Sequence, residues 1–385
     1  MNFGCSSFSW ETEDGRHLLG RTYDQFGDLR ANQVISVPKG DPCSPVLHPE
    51  SGNEEGRYGY TGMAVLGFGQ PVMVDGVNTA GLTGALLHYP EYAVYRYAPR
   101  PGTTAVHPGR LLAWLLSRCA SVEEAVEELS RLTLVDEPIQ GKPLPAHYIL
   151  SGRRGETIIV EPDEGGLSIH RNTIGVLANS PNYLWHRINL RNFVGVTNLP
   201  KAPQTIAGHE IREFGERLGG GSGLPGDYSS PSRFVRLAFM REFAVRGKHE
   251  LDGVSRMFRA FALVDIPEGL AKADPDYEVY EQTLCTSACA PRAASTTSPL
   301  PGTGAFPPSG FRHREARCSI STWETVRTST GEIKICLQGA ATRHTADLAA
   351  GSLAPAERRL LWTSLTLTIC LSRAETSCAL PSPPL

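Results

Sequence analysis

A cysteine directly after a glycine, in the string Gly4-Cys5-Ser6-Ser7-Phe8, is the residue of this chain with the most chemistry in reach. If the Gly4–Cys5 bond is cut, Cys5 gains a free α-amine beside its thiol. A model thiol titrates near about 8.5 and an α-amine near about 7.7–8.0, so at neutral pH the uncharged amine can take the thiol's proton. One residue then supplies both nucleophile and base. Glycine before the cysteine puts little bulk in the way of attack on its carbonyl, which makes self-cleavage chemically open. The competing expectation is an ordinary buried cysteine in a first strand, because free Cys is among the most buried residue types. Position alone favours that second reading, and the rest of the chain reverses it.

Such a residue has to be held by its neighbours, and the local pattern says how. Residues 5–12 alternate polar and apolar side chains as a half-buried strand does. Asp14-Gly15 follows, a dipeptide that favours a two-residue hairpin loop, and residues 17–24 return as the second strand. A two-residue loop there sets Cys5 across from Asp24. It also sets Arg21 across from Phe8, pointing to the other face. Further strands are expected at 33–37, 60–68 and 77–89, the last after a second Asp-Gly at 75–76. Helices are expected at 107–119, from Ser121 onward behind a capping box closed by Glu124, and at 232–246. Between the last two, residues 147–180 read as a meander of short strands. Strands, then helices, then strands point to antiparallel sheets layered with helices rather than to alternating βαβ units.

Composition narrows the function classes. The 385 residues are 41% hydrophobic and 20% charged, as in an ordinary globular protein, and long enough for one large domain or two. A net charge of −3 leaves no basic footprint for nucleic acid or for an anionic membrane surface. No run approaches the about 18 apolar residues of a membrane span, and residues 1–4 carry no signal-peptide pattern, so a cytoplasmic location is expected. Nine scattered cysteines without a C-x-x-C pair indicate neither a disulfide framework nor a zinc site. Gly221-Ser222-Gly223-Leu224-Pro225-Gly226 matches the dinucleotide fingerprint in letters only, because no strand precedes it and a proline sits inside. It reads as a loop, and no cofactor or metal is expected.

Beyond Ala290 the composition changes. Residues 291–385 hold no tyrosine and no asparagine, one valine (Val326) and one aspartate (Asp347), among abundant Ser, Thr, Ala, Pro and Arg. Such sequence is poor in strand-forming residues and reads as a disordered tail or as out-of-frame sequence that adds little to a fold. The expected organisation is a leader at 1–4, a domain at 5–290, and this atypical segment.

Four strings now join Cys5: Gly20-Arg21-Thr22-Tyr23-Asp24; the run from Asp75 to Leu82; the run from Ile174 to Pro181 with Trp185-His186; and the run from Gly223 to Phe234. In this order and spacing, from Cys5 to Ser287, they resemble the choloylglycine hydrolase family of N-terminal-nucleophile amidases, with a nearer likeness to its penicillin V acylase branch. The resemblance implies an αββα sandwich, two antiparallel sheets between helical layers. It implies that Cys5 is the nucleophile and becomes the mature N-terminus after removal of a short leader. Arg21 and Asp24 match the family's residues flanking that nucleophile, Asn179 matches the oxyanion-supporting asparagine, and Arg233 matches the arginine near the nucleophile. The backbone donor of the oxyanion hole falls on His88, where the family has tyrosine in penicillin V acylases and asparagine in bile salt hydrolases. That departure bears on substrate preference. The implied substrate is a small N-acyl amide: penicillin V first, a conjugated bile salt or an N-acyl-homoserine lactone as alternatives. A homotetramer is implied by the same likeness. The family's chain continues after this point as aromatic-rich strands, whereas here Leu284-Cys285-Thr286-Ser287 leads into the atypical segment. An inactive scaffold with an open sheet edge is the rival expectation.

Overall fold

In the computed structural model of the chain, Cys5 lies on β1 (Phe3–Glu11), which pairs antiparallel with β2 (His17–Gln25). The connecting loop has three residues, Glu13 to Gly15, rather than two. The Thr12 amide donates to the Arg16 carbonyl at 2.8 Å, the Gly15 amide closes a turn on the Thr12 carbonyl, and Gly15 takes a φ of 76°. A type I turn followed by a left-handed glycine is the usual three-residue hairpin. The extra loop residue corrects the expected register by one: Cys5 faces Tyr23, Gly4 faces Asp24, and Arg21 faces Ser7. Directly opposed residues share a face, and so do residues two apart along a strand. Arg21 therefore lies on the same face as Cys5, not on the opposite one.

The structure describes residues 3–26, 32–47, 54–66, 68, 70–135, 138, 143–214, 219–272 and 275–291, and beyond these the strand segments 322–328, 331–338 and 366–371. One sheet is built from β3 (Asn32–Val37), β4 (Tyr60–Val65), β5 (Asp75–Asn78), β6 (Thr83–His88), β7 (Ala146–Ser151), β8 (Thr157–Asp163) and β9 (Gly166–His170), in the antiparallel order β9-β8-β7-β6-β5-β4-β3. The expected strand at 77–89 is thus two strands, and the Asp75-Gly76 pair lies inside one of them. The turn falls at 79–82, where the Asn78 side-chain oxygen accepts the amides of Ala80, Gly81 and Leu82. The other sheet carries the hairpin together with β10 (Val176–Leu177) and β11 (Tyr280–Cys289), in the order β10-β1-β2-β11.

This second sheet does not stop there. Segments β12 (Thr322–Thr328), β13 (Gly331–Gln338) and β14 (Thr366–Leu371) extend it beyond β11 in the order β14-β13-β12, with Ser287 opposite Cys370. Strands therefore occur in a segment whose composition argued against them, and the edge of β11 is covered. The remainder of 292–385, with the expectation of a disordered or out-of-frame tail, lies outside the described residues, as do residues 1 and 2 of the leader.

Helices close both outer faces. Against the first sheet lie α1 (Pro108–Arg118) and α2 (Val122–Ser130). The expected capping box opens α2: the Glu124 amide donates to Ser121 Oγ, and the Glu124 carboxylate accepts from the Ala120 amide. The short α3 (Tyr183–Asn189) follows β10, and α4 (Ser230–Phe243) and α5 (Glu250–Phe261) cover the hairpin sheet. One apolar cluster joins the two sheets and α4 and α5, including Phe8, Leu87, Ile149, Phe234, Met257 and Phe261, and a second joins the first sheet to α1 and α2. The result is an αββα sandwich of two antiparallel sheets.

Gly20 sets how closely α5 packs. A Cβ there would lie 2.5 Å from Met257 Sδ and 2.5 Å from Phe261 Cε2. Gly20→Val should therefore lift α5 off β2 and lower unfolding stability by about 1–3 kcal/mol, read from a shifted urea midpoint at unchanged slope.

Candidate active site

Cys5 is 1% exposed, with its side chain on the face of β1 that looks toward the first sheet. Arg21, on the same face, donates from Nη2 to Cys5 Sγ at 3.0 Å and lies over the Tyr23 ring at 4.7 Å. Burial pushes the Cys5 thiol up; Arg21 opposes this, as does a hydrogen bond from the Asp24 main-chain amide. The thiol is thus held protonated but next to a cation that would stabilise its anion.

The other side of the strand holds the main chain. Arg233, in the first turn of α4, donates from Nη1 to the Cys5 carbonyl at 2.6 Å and to Ser6 Oγ at 2.5 Å, and from Nη2 to Asn179 Oδ1 at 2.7 Å. Its Nε donates to the Tyr228 carbonyl at 2.9 Å. The Cys5 amide donates to the same Asn179 Oδ1 at 2.8 Å. Two donors on one oxygen settle which way the Asn179 amide points, so Nδ2 is the end that donates to the His88 carbonyl at 2.8 Å. Asp24, fully buried, pairs with Arg233 at 3.6 Å and accepts from Thr283 Oγ1 at 2.7 Å. Burial pushes its carboxyl up, and Arg233 pulls it back. All six residues singled out in the sequence (Cys5, Arg21, Asp24, His88, Asn179 and Arg233) thus meet at one place, with the difference that Asp24 flanks Gly4 and meets the sulfur through its amide.

The segment carrying Asn179 is held by two histidines: His147, which the motif reading missed, and His186, which it named within Trp185-His186 without a role. His147 Nε2 bonds the Ala178 carbonyl at 2.7 Å and its Nδ1 bonds Glu161 at 3.2 Å. Its ring stacks on Tyr89, centroids 4.3 Å apart. His186 Nε2 bonds the Asn179 carbonyl at 2.9 Å. Burial pushes the His186 imidazole down to about 4, so it is neutral, and that contact is the N–H donor. Glu161 also meets His170 Nε2 at 3.0 Å and the Tyr183 amide. Burial works against its charge, but His147 and His170 outweigh burial and hold the carboxyl at about 2. Both ring nitrogens of His147 thus face acceptors, a carboxylate oxygen on one side and a carbonyl on the other. One ring therefore braces both the Ala178–Asn179 segment and the residue after His88. The signal was present as charged residues inside apolar strands, His147 in β7 and Glu161 in β8, where an unpaired polar group is costly.

The Gly221–Gly226 run is a turn, with Gly221 and Gly223 at φ 82° and 97°, tied to α4 by Arg236 Nη1 on the Pro225 and Asp227 carbonyls. Among the described residues no cluster of His, Cys, Asp and Glu could hold a metal ion, and no helix is long and apolar enough to cross a membrane.

Glu161 carries the testable consequence. Its folded pKa of about 2 lies below the ordinary carboxylate value of 4.5, so its stabilisation is present above that value and is lost as pH falls toward about 2. Glu161→Gln should remove that acid-dependent loss, worth about 3 kcal/mol, and lower stability at pH 7 by a similar amount. Denaturant unfolding of both proteins between pH 2 and 7 measures it.

Comparison with known proteins gives the family and the fold. Residues 5–293 match the family model for linear amide C–N hydrolases of the choloylglycine hydrolase family. The bile salt hydrolase/transferase of Clostridium perfringens is 30% identical over 288 residues, covering 73% of this chain and 86% of that protein. A crystal structure of a variant of conjugated bile acid hydrolase from the same organism superposes with a TM-score of 0.66 at 30% identity, over 74% of this chain and 88% of the other. Penicillin V acylase from Agrobacterium tumefaciens shares the fold, with a TM-score of 0.58 at 21% identity over 74% and 79% of the two chains. A stretch of 179 residues is 28% identical to penicillin V acylase of Pectobacterium atrosepticum, covering 44% of this chain and 41% of that one. The chain belongs to the choloylglycine hydrolase family of linear amide C–N hydrolases.

Proposed function

We propose that Cys5 is the nucleophile of this amidase, and that it acts after the bond to Gly4 has been cut, with its own α-amine as base. The observation that carries this reading is the bracketing of one buried residue: Arg21 on its sulfur at 3.0 Å, and Asn179 on its main-chain nitrogen at 2.8 Å. A raised thiol needs a base to be activated, and the freed amine is the nearest one. The amine takes the thiol's proton as Sγ attacks the amide carbonyl, and then passes it to the leaving amine. Arg21 steadies the thiolate, and Arg233 with Asp24 fixes the main chain that carries the amine. Asn179 Nδ2, which donates to the His88 carbonyl, and the His88 main-chain N–H are the donors this reading assigns to the oxyanion. Water then releases the acid from the thioester.

The substrate is a small N-acyl amide. The motif likeness favours an aryloxyacetyl amide of the penicillin V kind. A second reading, a conjugated bile salt, is favoured by the length of the match: the C. perfringens bile salt enzyme is covered over 86% of its chain, and the P. atrosepticum acylase over 41%. Turnover of penicillin V, glycocholate and taurocholate side by side separates them. The acylase reading expects penicillin V to be faster, and a preference for a bile salt above about tenfold, some 1.4 kcal/mol in the transition state, reverses it.

Two variants test the roles. Cys5→Ala should show no turnover of any of these amides. Asn179→Ala should lose about 10²–10³ in kcat, the cost of one oxyanion donor, with a smaller change in KM. An Asn179→Ala protein whose kcat stays within a few-fold of the parent places the oxyanion elsewhere.

A further inference from the structure

One carboxylate near the cleft has no task in the scheme above. Glu281 stands at the start of β11, two residues before Thr283, which pairs with Asp24. It is half-buried, and it lies against Gly4 rather than against Cys5. A Cβ at position 4 would come to 2.2 Å from Glu281 Oε1, 3.2 Å from its Cδ and 3.1 Å from the Asp24 Cβ. The Gly4 amide donates a hydrogen bond to the same carboxylate. Gly4 and Asp24 are directly opposed on β1 and β2, so the last residue of the leader is boxed between two acidic side chains, with Arg233 in the field of both.

We propose that Glu281 is the positioning residue for removal of the segment before Cys5: its carboxylate occupies the space a Cβ at position 4 would need and holds the Gly4 amide, fixing the scissile carbonyl beside the Cys5 thiol. This rests on the reading that the Gly4–Cys5 bond is cut. In that step Sγ attacks the Gly4 carbonyl carbon and a C–S bond forms. The C–N bond to Cys5 breaks, and the thiol's proton ends on the released α-amine. Water then hydrolyses the thioester, placing its hydroxyl on the Gly4 carbon and a proton on sulfur. A backbone held on only one side of a scissile bond can turn that carbonyl away from the thiol. β1 fixes the Cys5 side through Arg233 and Asn179, and Glu281 fixes the other. The contact is short because glycine has no side chain, and any Cβ displaces the carboxylate that makes it.

The two residues should therefore be coupled. The test follows leader loss by intact mass, in freshly translated full-length chain, for the parent, Gly4→Ala, Glu281→Ala and the double variant. Each of the two single variants is expected to process about tenfold or more slowly. In the Glu281→Ala background, adding Gly4→Ala should cost less than about twofold, because the carboxylate it displaces is already gone. Glu281→Gln, which keeps an oxygen for the Gly4 amide, should stay within about threefold of the parent, which separates positioning from a loss of folding. Processing of Glu281→Ala at the parental rate overturns the inference, and so do single effects that simply multiply in the double variant. A parent chain that never loses its leader overturns the cleavage reading itself, and this inference with it.

Discussion

The guanidinium of Arg233 reaches four chain segments at once, and a buried cation holds such a place only where its donors are met. Its nitrogens donate to the Cys5 carbonyl, Ser6 Oγ, Asn179 Oδ1 and the Tyr228 carbonyl, with Asp24 as counter-charge. Removing a partner from such a set leaves an uncompensated buried charge, which costs far more than the pair contributes. The strand of the nucleophile, the asparagine turn, the loop before α4 and the β2 carboxylate are thereby locked in one arrangement. Arg21 performs the complementary task on the other face of the same strand, where it meets the sulfur and the Tyr23 ring. Cys5 thus has a cation for its side chain and a separate cation for its main chain, and β1 itself keeps them apart.

That separation depends on a turn. With a two-residue loop, Arg21 would face the helices and the thiol would be raised by burial without its main offsetting cation. Three loop residues, with Gly15 in the left-handed region, rotate the pairing by one position and bring Arg21 to the sulfur. A local backbone choice some 10 residues away in sequence thus sets the electrostatics of the site. The histidine-braced segment does the same for Asn179: His147 and His186, the latter kept neutral by burial, each take one carbonyl of the turn.

Much of this was legible in the sequence because the chemistry was carried by residue type and order. Cys5 after glycine, Arg21, Asp24, Asn179 and Arg233 could be named, and they meet. The αββα sandwich was implied by the family resemblance, the capping box by the Ser121–Glu124 spacing, and the strands of the meander by periodicity and turn residues. What failed was geometry that residue type does not encode. Asp-Gly serves two-residue and three-residue loops alike, so the register was off by one; at 75–76 the same dipeptide sits inside a strand. Helix α5 went unread although Val254, Met257 and Phe261 fall on one face, because its start at His249 follows a loop with no strong cap signal. Glu281 and Glu161 were not singled out as site residues, since burial of a carboxylate depends on partners distant in the chain. The strands beyond Ala290 were hidden by a composition with one valine and no tyrosine, yet segments such as Thr366–Leu371 find an edge to extend.

The central claim is that the working enzyme carries its acyl group on the sulfur of an N-terminal Cys5. Acid quenching during steady turnover of a slow N-acyl amide, followed by peptide mapping under mildly acidic conditions, examines it directly. The mechanism predicts a peptide that begins at Cys5 and carries the acyl mass in a hydroxylamine-labile bond, as a thioester. An active enzyme whose Cys5 peptide is still preceded by Gly4, or whose acyl group sits on another residue, would contradict it.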